Sequence, residues 1–452
     1  MSHLLNMNAS PIGSGINPAA LSIAFRDRSL CARTGTCVGI CPEQAIFLDS
    51  DYYPVLDETK CTSCGLCGEV CPGGSVSFSR LSELTFGEKD QGPGFDGRIL
   101  DAHVGYSTDS EIRSSGAGGG VITTLLYDVL NHGDVNGCVV TRMRPDKPWL
   151  GEPFIATTKE ELVSSQGSRY TVIPLNTILQ LLRSQTGRFA VAALPCHIHG
   201  LRKVMRADPH LEEKISVIVG LFCGGALNLN VVPELLHTKN IRKEDIVDFQ
   251  FRGGKWPGKM RAIMKNGQTH DLHYSNYKDG AYNYLIGLYM PERCQTCIDG
   301  SGEFSDLSVS DAWTRDLDGQ YKFAAQSRIL TRTQTGRNML RNAIQRGSIY
   351  STDLHNDPQY QTHRNQTKRK GLNAPLRVAR RHSTGKSSPS YDRTTPESSS
   401  WEKLIERGIS SLLWLGAHKW FRYPLIKFLT SRWAIPLVIC RVWWKNRKYR
   451  RG

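Results

Sequence analysis

Two stretches near the start of the chain repeat one ladder of cysteines, "SLCARTGTCVGICPEQAIF" and "TKCTSCGLCGEVCPGGSVSF". Thiolates at such short spacing bind soft metal centres. In the second copy Cys61, Cys64, Cys67 and Cys71 follow C-x2-C-x2-C-x3-C-P, an iron–sulfur ligand run whose fourth cysteine serves the other cluster. Three thiolates on one tight loop face three irons of a cubane, and the distant one closes the remaining corner. The proline stops the ligand loop from running on as helix. A zinc ribbon also pairs cysteines, but two Cys-Pro-terminated copies in tandem are hard to obtain that way. By this logic Cys61, Cys64, Cys67 and Cys41 hold one complete [4Fe–4S] cluster. Cys31, Cys37 and Cys71 serve the other site, where Thr34 stands in the place of a fourth cysteine. Three thiolates suit a [3Fe–4S] cluster, or a [4Fe–4S] cubane with water, hydroxide or the Thr34 oxygen on its unique iron. Either choice changes net charge and therefore potential.

The elements that must position further chemistry begin near residue 100. "RFAVAAL" and "ISVIVGLF" are continuous apolar runs, as buried parallel strands should be. Cys196 and Cys223 follow them, just past the carboxyl ends of the strands, where open α/β sheets place ligands. Cys294 and Cys297 form a C-x2-C loop in "RCQTC", and spacing alone does not join these four. Gly118, Gly119 and Gly120 open a helix in "GGGVITTLL", and a glycine-rich helix entry offers unpaired N–H groups to a phosphate. "KMRAIMKNGQTHDLHY" reads as a hairpin turning at Asn266-Gly267.

The core resembles the beta subunit of coenzyme F420 hydrogenase and dehydrogenase, a family that also includes 7-hydroxymethyl chlorophyll a reductase. The stretches that carry the likeness are "GGGVITTLL", "SQGSRYTVIP", "LPCHIHGLRK", "VGLFCGG", "FRGGKWPGKMRA" and "RCQTCIDGSGEFSDLSVSDAW". The resemblance implies a third cluster, a [4Fe–4S] centre on Cys196, Cys223, Cys294 and Cys297, beside FAD. It places Gly118, Gly119, Gly120, Gly167, Ser168, Arg169, Tyr170 and Lys255 near that flavin. His197 and His199 flank a cluster cysteine and are candidates for proton delivery. The implied activity is a flavin-dependent iron–sulfur oxidoreductase fed by a ferredoxin-like one-electron donor, with polysaccharide biosynthesis as the favoured context. Alternatives are a non-catalytic electron-transfer subunit serving a partner, or a coenzyme F420-dependent oxidoreductase.

The expected architecture is an α/β core with an N-terminal bacterial-type ferredoxin (α+β) domain and a basic helical C-terminal tail. Residues 1–20 read as a flexible leader, 21–86 as the ferredoxin-type domain, 100–350 as the flavin domain, 351–400 as a disordered linker, and 401–452 as a basic, Trp-rich amphipathic tail. The chain carries a net charge of +15, of which residues 401–452 supply +10 (12 Lys/Arg against two Asp/Glu). Basicity is therefore a property of the tail, and nothing in the core points to nucleic acid. The first residues show neither a basic nor an apolar signal region, and cluster thiols need a reducing compartment, so a cytoplasmic protein is expected. No uncharged apolar run reaches the span of a bilayer. Basic residues with Trp and Leu faces suit attachment at the inner, anionic face of a membrane, or docking on the core or a partner subunit.

Overall fold

The computed structural model describes residues 16–89, 95–272, 282–314, 320–354, 365–393, 397–437, 439–440 and 443. Residues 1–15 of the expected leader lie outside these, and Pro18–Ala20 is a 3-10 turn capped by Asn17. In the cysteine-rich module each ligand loop runs into a short helix, Thr36–Ile40 or Leu66–Glu69. Each helix starts after a left-handed glycine, Gly35 (φ 76°) or Gly65 (φ 80°), so the repeat in sequence is a repeat in backbone. Strands β1 (Ile46–Leu48) and β2 (Pro54–Leu56) form an antiparallel ribbon, and β3 (Ser75–Val76) closes the module.

The core continues with β4 (Asp101–Ser107), β5 (Gly137–Met143), β6 (Gly151–Ala156), β7 (Phe189–Ala193) and β8 (Ile215–Leu221). It then adds β9 (Ile246–Gly253), β10 (Lys259–Met264), β11 (Thr269–Asp271), β12 (Leu307–Asp311), β13 (Ser327–Thr331) and β14 (Ile349–Asp353). An eight-stranded sheet has the order β14-β4-β13-β12-β8-β7-β5-β6. Its centre, β12-β8-β7-β5, is parallel and its flanks are antiparallel. Val191, Ala193, Ile218 and Val219 are buried in its middle, which is why β7 and β8 read as unbroken apolar runs. β9, β10 and β11 form a separate antiparallel sheet, with Gly267 in the expected hairpin turn donating to the Met264 carbonyl at 2.9 Å. The chain is thus a ferredoxin-type iron–sulfur domain attached to a larger α/β core with a C-terminal helical region.

The module is seated on the core. A Cβ on Gly39 would stand 2.0 Å from the Asn176 carbonyl oxygen, so only glycine lets the Thr36–Ile40 helix approach this closely. Gln180 Nε2 donates to the Val38 carbonyl at 2.9 Å, and Arg183 Nη2 to that of Ile40 at 3.1 Å.

The expectation of a disordered linker over 351–400 is corrected. Residues Asn365–Ser383 form a helix, and β15 (Ser390–Tyr391) pairs in parallel with β3 of the module. Composition suggested solvated charges, yet these charges have partners. Arg377 Nε and Arg380 Nη2 reach the two oxygens of Glu406 at 2.8 and 2.6 Å, and Glu406 is fully buried. Removing one member of a buried ion pair costs about 3–5 kcal/mol. Glu406 belongs to the tail helix Ser400–Ala417, which is followed by Lys419–Leu429. The second helix is tied to the core by Arg422, whose Nε and Nη2 reach the Glu234 carboxylate at 2.9 and 2.7 Å, and by buried Ile426. Among the described residues, no helix is long and apolar enough to cross a membrane.

Candidate metal centres and the adjoining crevice

The thiols stand in three sets. Cys41, Cys61, Cys64 and Cys67 line one cavity, walled otherwise by Leu21, Ile46, Leu56 and Leu66. Burial pushes the Cys67 thiol up to about 11, and neighbouring Cys41, Cys64 and Cys61 push it further in that direction. Cys64 is exposed, so this set reaches the surface. Cys31, Cys37 and Cys71 form the second set. Burial pushes Cys31 to about 12, with Cys71 adding repulsion, and raises Cys37 well above its ordinary value beside Cys31 and Cys71. Backbone N–H groups point at these sulfurs: Arg33 N at 3.4 Å from Cys31 Sγ and Gly73 N at 3.3 Å from Cys71 Sγ. In the third set, burial and mutual repulsion with Cys223, Cys294 and Cys297 raise Cys196 well above its ordinary value, and burial takes Cys223 to about 11. Buried thiols that repel one another as thiolates fit a cationic iron core, which would deprotonate and pair them. Among the described residues, no three His, Cys, Asp or Glu side chains converge closely enough to hold a single metal ion.

The fold gathers the third set as follows. Cys196 lies in the first turn of the helix Pro195–Ala207 after β7, Cys223 lies beyond β8, and Cys294 sits in the short helix Glu292–Gln295. Cys223 N donates to the Gly300 carbonyl at 2.9 Å. Lys370, on the helix Asn365–Ser383, donates to the carbonyls of Cys223 at 3.1 Å and Asp299 at 2.7 Å. Burial acts against its charge, but nearby Cys297, Cys223, Cys294 and Asp299 outweigh burial and raise its pKa. Arg293 joins the second and third sets. It precedes Cys294 and donates to the carbonyls of Gly73 at 2.7 Å and Pro72 at 3.0 Å, directly after Cys71.

Thr34 is buried, and its hydroxyl lies 2.8 Å from that of Thr36, which accepts from Asn176 Nδ2 at 2.9 Å. The non-cysteine position of the second set is therefore part of a polar network that crosses to the core.

His197 and His199, the expected proton-delivery candidates, are both buried and hydrogen-bonded within the fold. His197 is buried, with Nε2 on the Ile173 carbonyl at 3.0 Å and Nδ1 accepting from Leu194 N at 3.4 Å, so both ring nitrogens are used in capping and bracing its helix. Burial lowers it to about 4. His199 is buried too, with Nε2 at 3.0 Å from Asp299 Oδ2 and its ring against Phe78 and Phe304. Asp299 also accepts backbone N–H bonds from Ser301, Gly302 and Glu303, which fixes the loop after Cys297.

The glycine-rich and aromatic stretches meet at the carboxyl end of β12, the position where α/β sheets form their ligand crevice. A Cβ on Gly118 would stand 2.7 Å from Asp311 Oδ1, and Asp311 Oδ2 accepts from Arg252 Nη1 at 2.7 Å. Arg252 lies over Trp313, which stacks on Trp256 with centroids 5.0 Å apart; Tyr321 packs edge-on against both rings. From the other side Gln166 Nε2 donates to the Ile112 carbonyl at 2.9 Å, beside Gly120, and Tyr170 packs edge-on against Phe251. Gly167 takes φ 90°, Ser168 is half-buried, and Lys255 is exposed at the lip of the β9–β10 turn. Arg169 wraps its guanidinium onto the carbonyls of Ser165, Gln166 and Gly167, and burial lowers it to about 10. Two buried donors, Trp256 Nε1 in this aromatic cluster and Arg169 Nε beside the turn at residues 165–167, have no hydrogen-bond partner among the described residues, which fits polar ligand groups. Arg252, Asp311, Trp313 and Lys370 were not singled out from sequence. The first three lie in quoted stretches whose charges pair only in the fold, and Lys370 lies in the supposed linker.

Residues 102–180 and 186–357 match the N-terminal and C-terminal parts of the family described as coenzyme F420 hydrogenase/dehydrogenase, beta subunit, and residues 30–75 match a 4Fe-4S dicluster domain. The chain belongs to the coenzyme F420 hydrogenase/dehydrogenase beta-subunit family. Its relatives include the coenzyme F420-dependent sulfite reductase of Methanocaldococcus jannaschii, 25% identical over 71% of this chain and 46% of that protein. The chain thus spans about half the length of that reductase. One of the subunits of the F420H2 dehydrogenase of Methanosarcina mazei is 26% identical over 58% of this chain and 78% of its own length. The coenzyme F420 hydrogenase subunit beta of Methanothermobacter thermautotrophicus is 28% identical over 54% and 81%. In fold, the chain resembles a component of the F420-reducing [NiFe] hydrogenase complex from Methanosarcina barkeri, solved as a xenon derivative, with a TM-score of 0.52 and 21% identity over 68% of this chain and 99% of that one.

These findings correct the expectation of FAD and of a flavin-dependent enzyme tied to polysaccharide synthesis. The relatives named for an activity carry coenzyme F420 in their names. The glycines also have another explanation. Gly119 N donates to Ser327 Oγ at 3.1 Å, its carbonyl accepts from Ser107 N at 2.7 Å, and Gly120 caps the helix Val121–Asn131 at φ 73°. Gly118 packs on Asp311 of β12, Gly119 on Gly105 and Ser327, and Gly120 on Ile112 and Ser107, so close packing by itself favours glycine at 118–120.

Proposed function

We propose that this protein is an iron–sulfur oxidoreductase that uses coenzyme F420 at the crevice beside Asp311, with a one-electron donor such as a ferredoxin at the exposed Cys64 set. When bound, the clusters would supply one-electron transfer, and two such transfers together with two protons from solvent would give the reduced coenzyme, written F420H2 in a relative's name. The observation that carries the reading is the order of the thiol sets: Cys64 at the surface, Cys71 joined through Arg293 to Cys294, and Cys223 beside the end of β12, where Phe222 N donates to the Val309 carbonyl at 3.2 Å. The chain's own residues hold the ligand sets, exclude water with Phe78, Phe304 and Tyr391, and wall the crevice with Trp256, Trp313 and Tyr321. The Arg252–Asp311 pair fixes that wall, and the free donors of Trp256 and Arg169 are available to polar groups of the coenzyme. Several relatives are named as subunits, which favours association with other subunits in a hydrogenase-like complex.

The test is anaerobic turnover of the iron-loaded full chain with reduced ferredoxin and oxidised coenzyme F420. Loss of coenzyme absorbance is expected, and Trp313→Ala should raise KM for the coenzyme by about tenfold, the loss of one good contact. Fully loaded clusters with no change in the coenzyme, alone or with partner subunits, would refute the proposal.

A further inference from the structure

The two tail helices present faces with different fates. Their inner face is used up: Leu413 and Ile426 are buried, Gly416 packs on Gly287 and Leu288, and Arg422 is paired with Glu234. Their outer face is open. Twelve of the seventeen exposed large apolar side chains among the described residues lie between residues 401 and 443. Trp401, Trp414, Trp420 and Trp433 are 67%, 57%, 68% and 82% exposed. Lys403, Arg407, Lys419, Lys427 and Arg432 are exposed among them. The tail has only two carboxylates, Glu402 and Glu406. Glu402 is held by Ser399 in the capping box that starts the first helix, and Glu406 is sealed between Arg377 and Arg380. The outward face therefore combines tryptophans and cations with no free carboxylate.

We propose that this face docks on the surface of an anionic lipid bilayer. Tryptophan is enriched where one side of a ring meets hydrocarbon and the other meets water. Interleaved lysines and arginines supply attraction to acidic headgroups. A protein partner fits less well, because lysine is depleted from the cores of protein interfaces. The tail lies along the surface rather than through it, since no described helix is long and apolar enough to span a bilayer. Packing on the core and contact with lipid are thus simultaneous roles of opposite faces.

The experiment is flotation of the full iron-loaded chain with vesicles of phosphatidylcholine alone, or of phosphatidylcholine with one-quarter phosphatidylglycerol. Binding at least tenfold tighter to the acidic vesicles is expected, with release at high salt as the charges are screened and a blue shift of tryptophan emission on binding. Charge reversal at three exposed positions, Lys403→Glu, Lys419→Glu and Lys427→Glu together, should abolish binding while cluster absorbance stays unchanged. Replacing Trp414 and Trp420 by Ser should weaken binding and remove most of the blue shift. Equal binding to both vesicle types, no binding, or binding unaffected by charge reversal would overturn the proposal. Lipid-free self-association lost in the same variants, without vesicle binding, would assign the face to a protein contact instead.

Discussion

The cysteine-rich module draws seven ligand candidates from one stretch, Cys31 to Cys71, whereas the core draws four from Cys196, Cys223, Cys294 and Cys297, which only the fold brings together. The module orients its thiols with local devices: tight loops, left-handed glycines and backbone N–H groups. The core orients its own with distant ones: the ends of β7 and β8, the loop fixed by Asp299, and Lys370 from a segment 73 positions beyond Cys297. A local site is specified by a motif, whereas a distributed site depends on every element that carries a ligand.

That contrast is sharpest when a ligand is removed. In the full chain, Cys196→Ser with Cys223→Ser should lose roughly four irons, measured by iron analysis, while the electron paramagnetic resonance of the module is retained. Loss of the module signals as well would break the distinction. In the module, the reverse change adds a ligand. Thr34→Cys should convert a [3Fe–4S] signal in the oxidised protein into a reduced cubane signal, with a gain of about one iron. An iron count showing the Cys31 set empty in the parent would mean that the three-thiol site holds no cluster.

The tail, too, depends on distant partners. Burial would raise Glu234, but hydrogen bonds from Arg422 and Tyr289 outweigh it and hold the carboxyl below its ordinary 4.5. A depressed carboxylate stabilises the fold fully above its unfolded pKa, and that contribution is lost as pH falls through the lowered value. Glu234→Gln should therefore cost roughly 1–3 kcal/mol at neutral pH, seen as faster proteolysis between residues 401 and 437, and the cost should vanish in acid. A difference between the two proteins that persists at low pH would remove Glu234 as the anchor.

Lys370 gives the smallest and most specific effect. Lys370→Met removes a cation beside the core set and should lower that cluster's reduction potential by on the order of tens of millivolts, with the iron content and the module potentials unchanged. An unmoved potential would make the lysine purely structural.

Much of this was legible in the sequence where chemistry is local. The module repeat, the buried runs of β7 and β8 and the Asn266-Gly267 turn each carry their own signal over a few residues. The crevice was only half legible: "GGG", "GSRY" and "FRGGKW" were singled out, but Arg252 meets Asp311 across 59 positions and no periodicity links them. The bracing of a helix start by His197 was not legible, because a His beside a cluster cysteine looks the same in sequence whatever its ring nitrogens bind. The helix Asn365–Ser383 was hidden because Arg377, Arg380 and Lys370 look solvated until Glu406 and the Cys223 loop are placed beside them.

The central claim is that the core set stands between the module and the coenzyme. Anaerobic mixing of the oxidised, iron-loaded full chain with reduced coenzyme F420, followed by freeze-quench electron paramagnetic resonance, tests it most directly. The account predicts that the signal of the Cys196 set appears first and those of the module later, with the order unchanged in Thr34→Cys. Reduction of the module ahead of the core set, or no reduction of any cluster by the coenzyme, would contradict it.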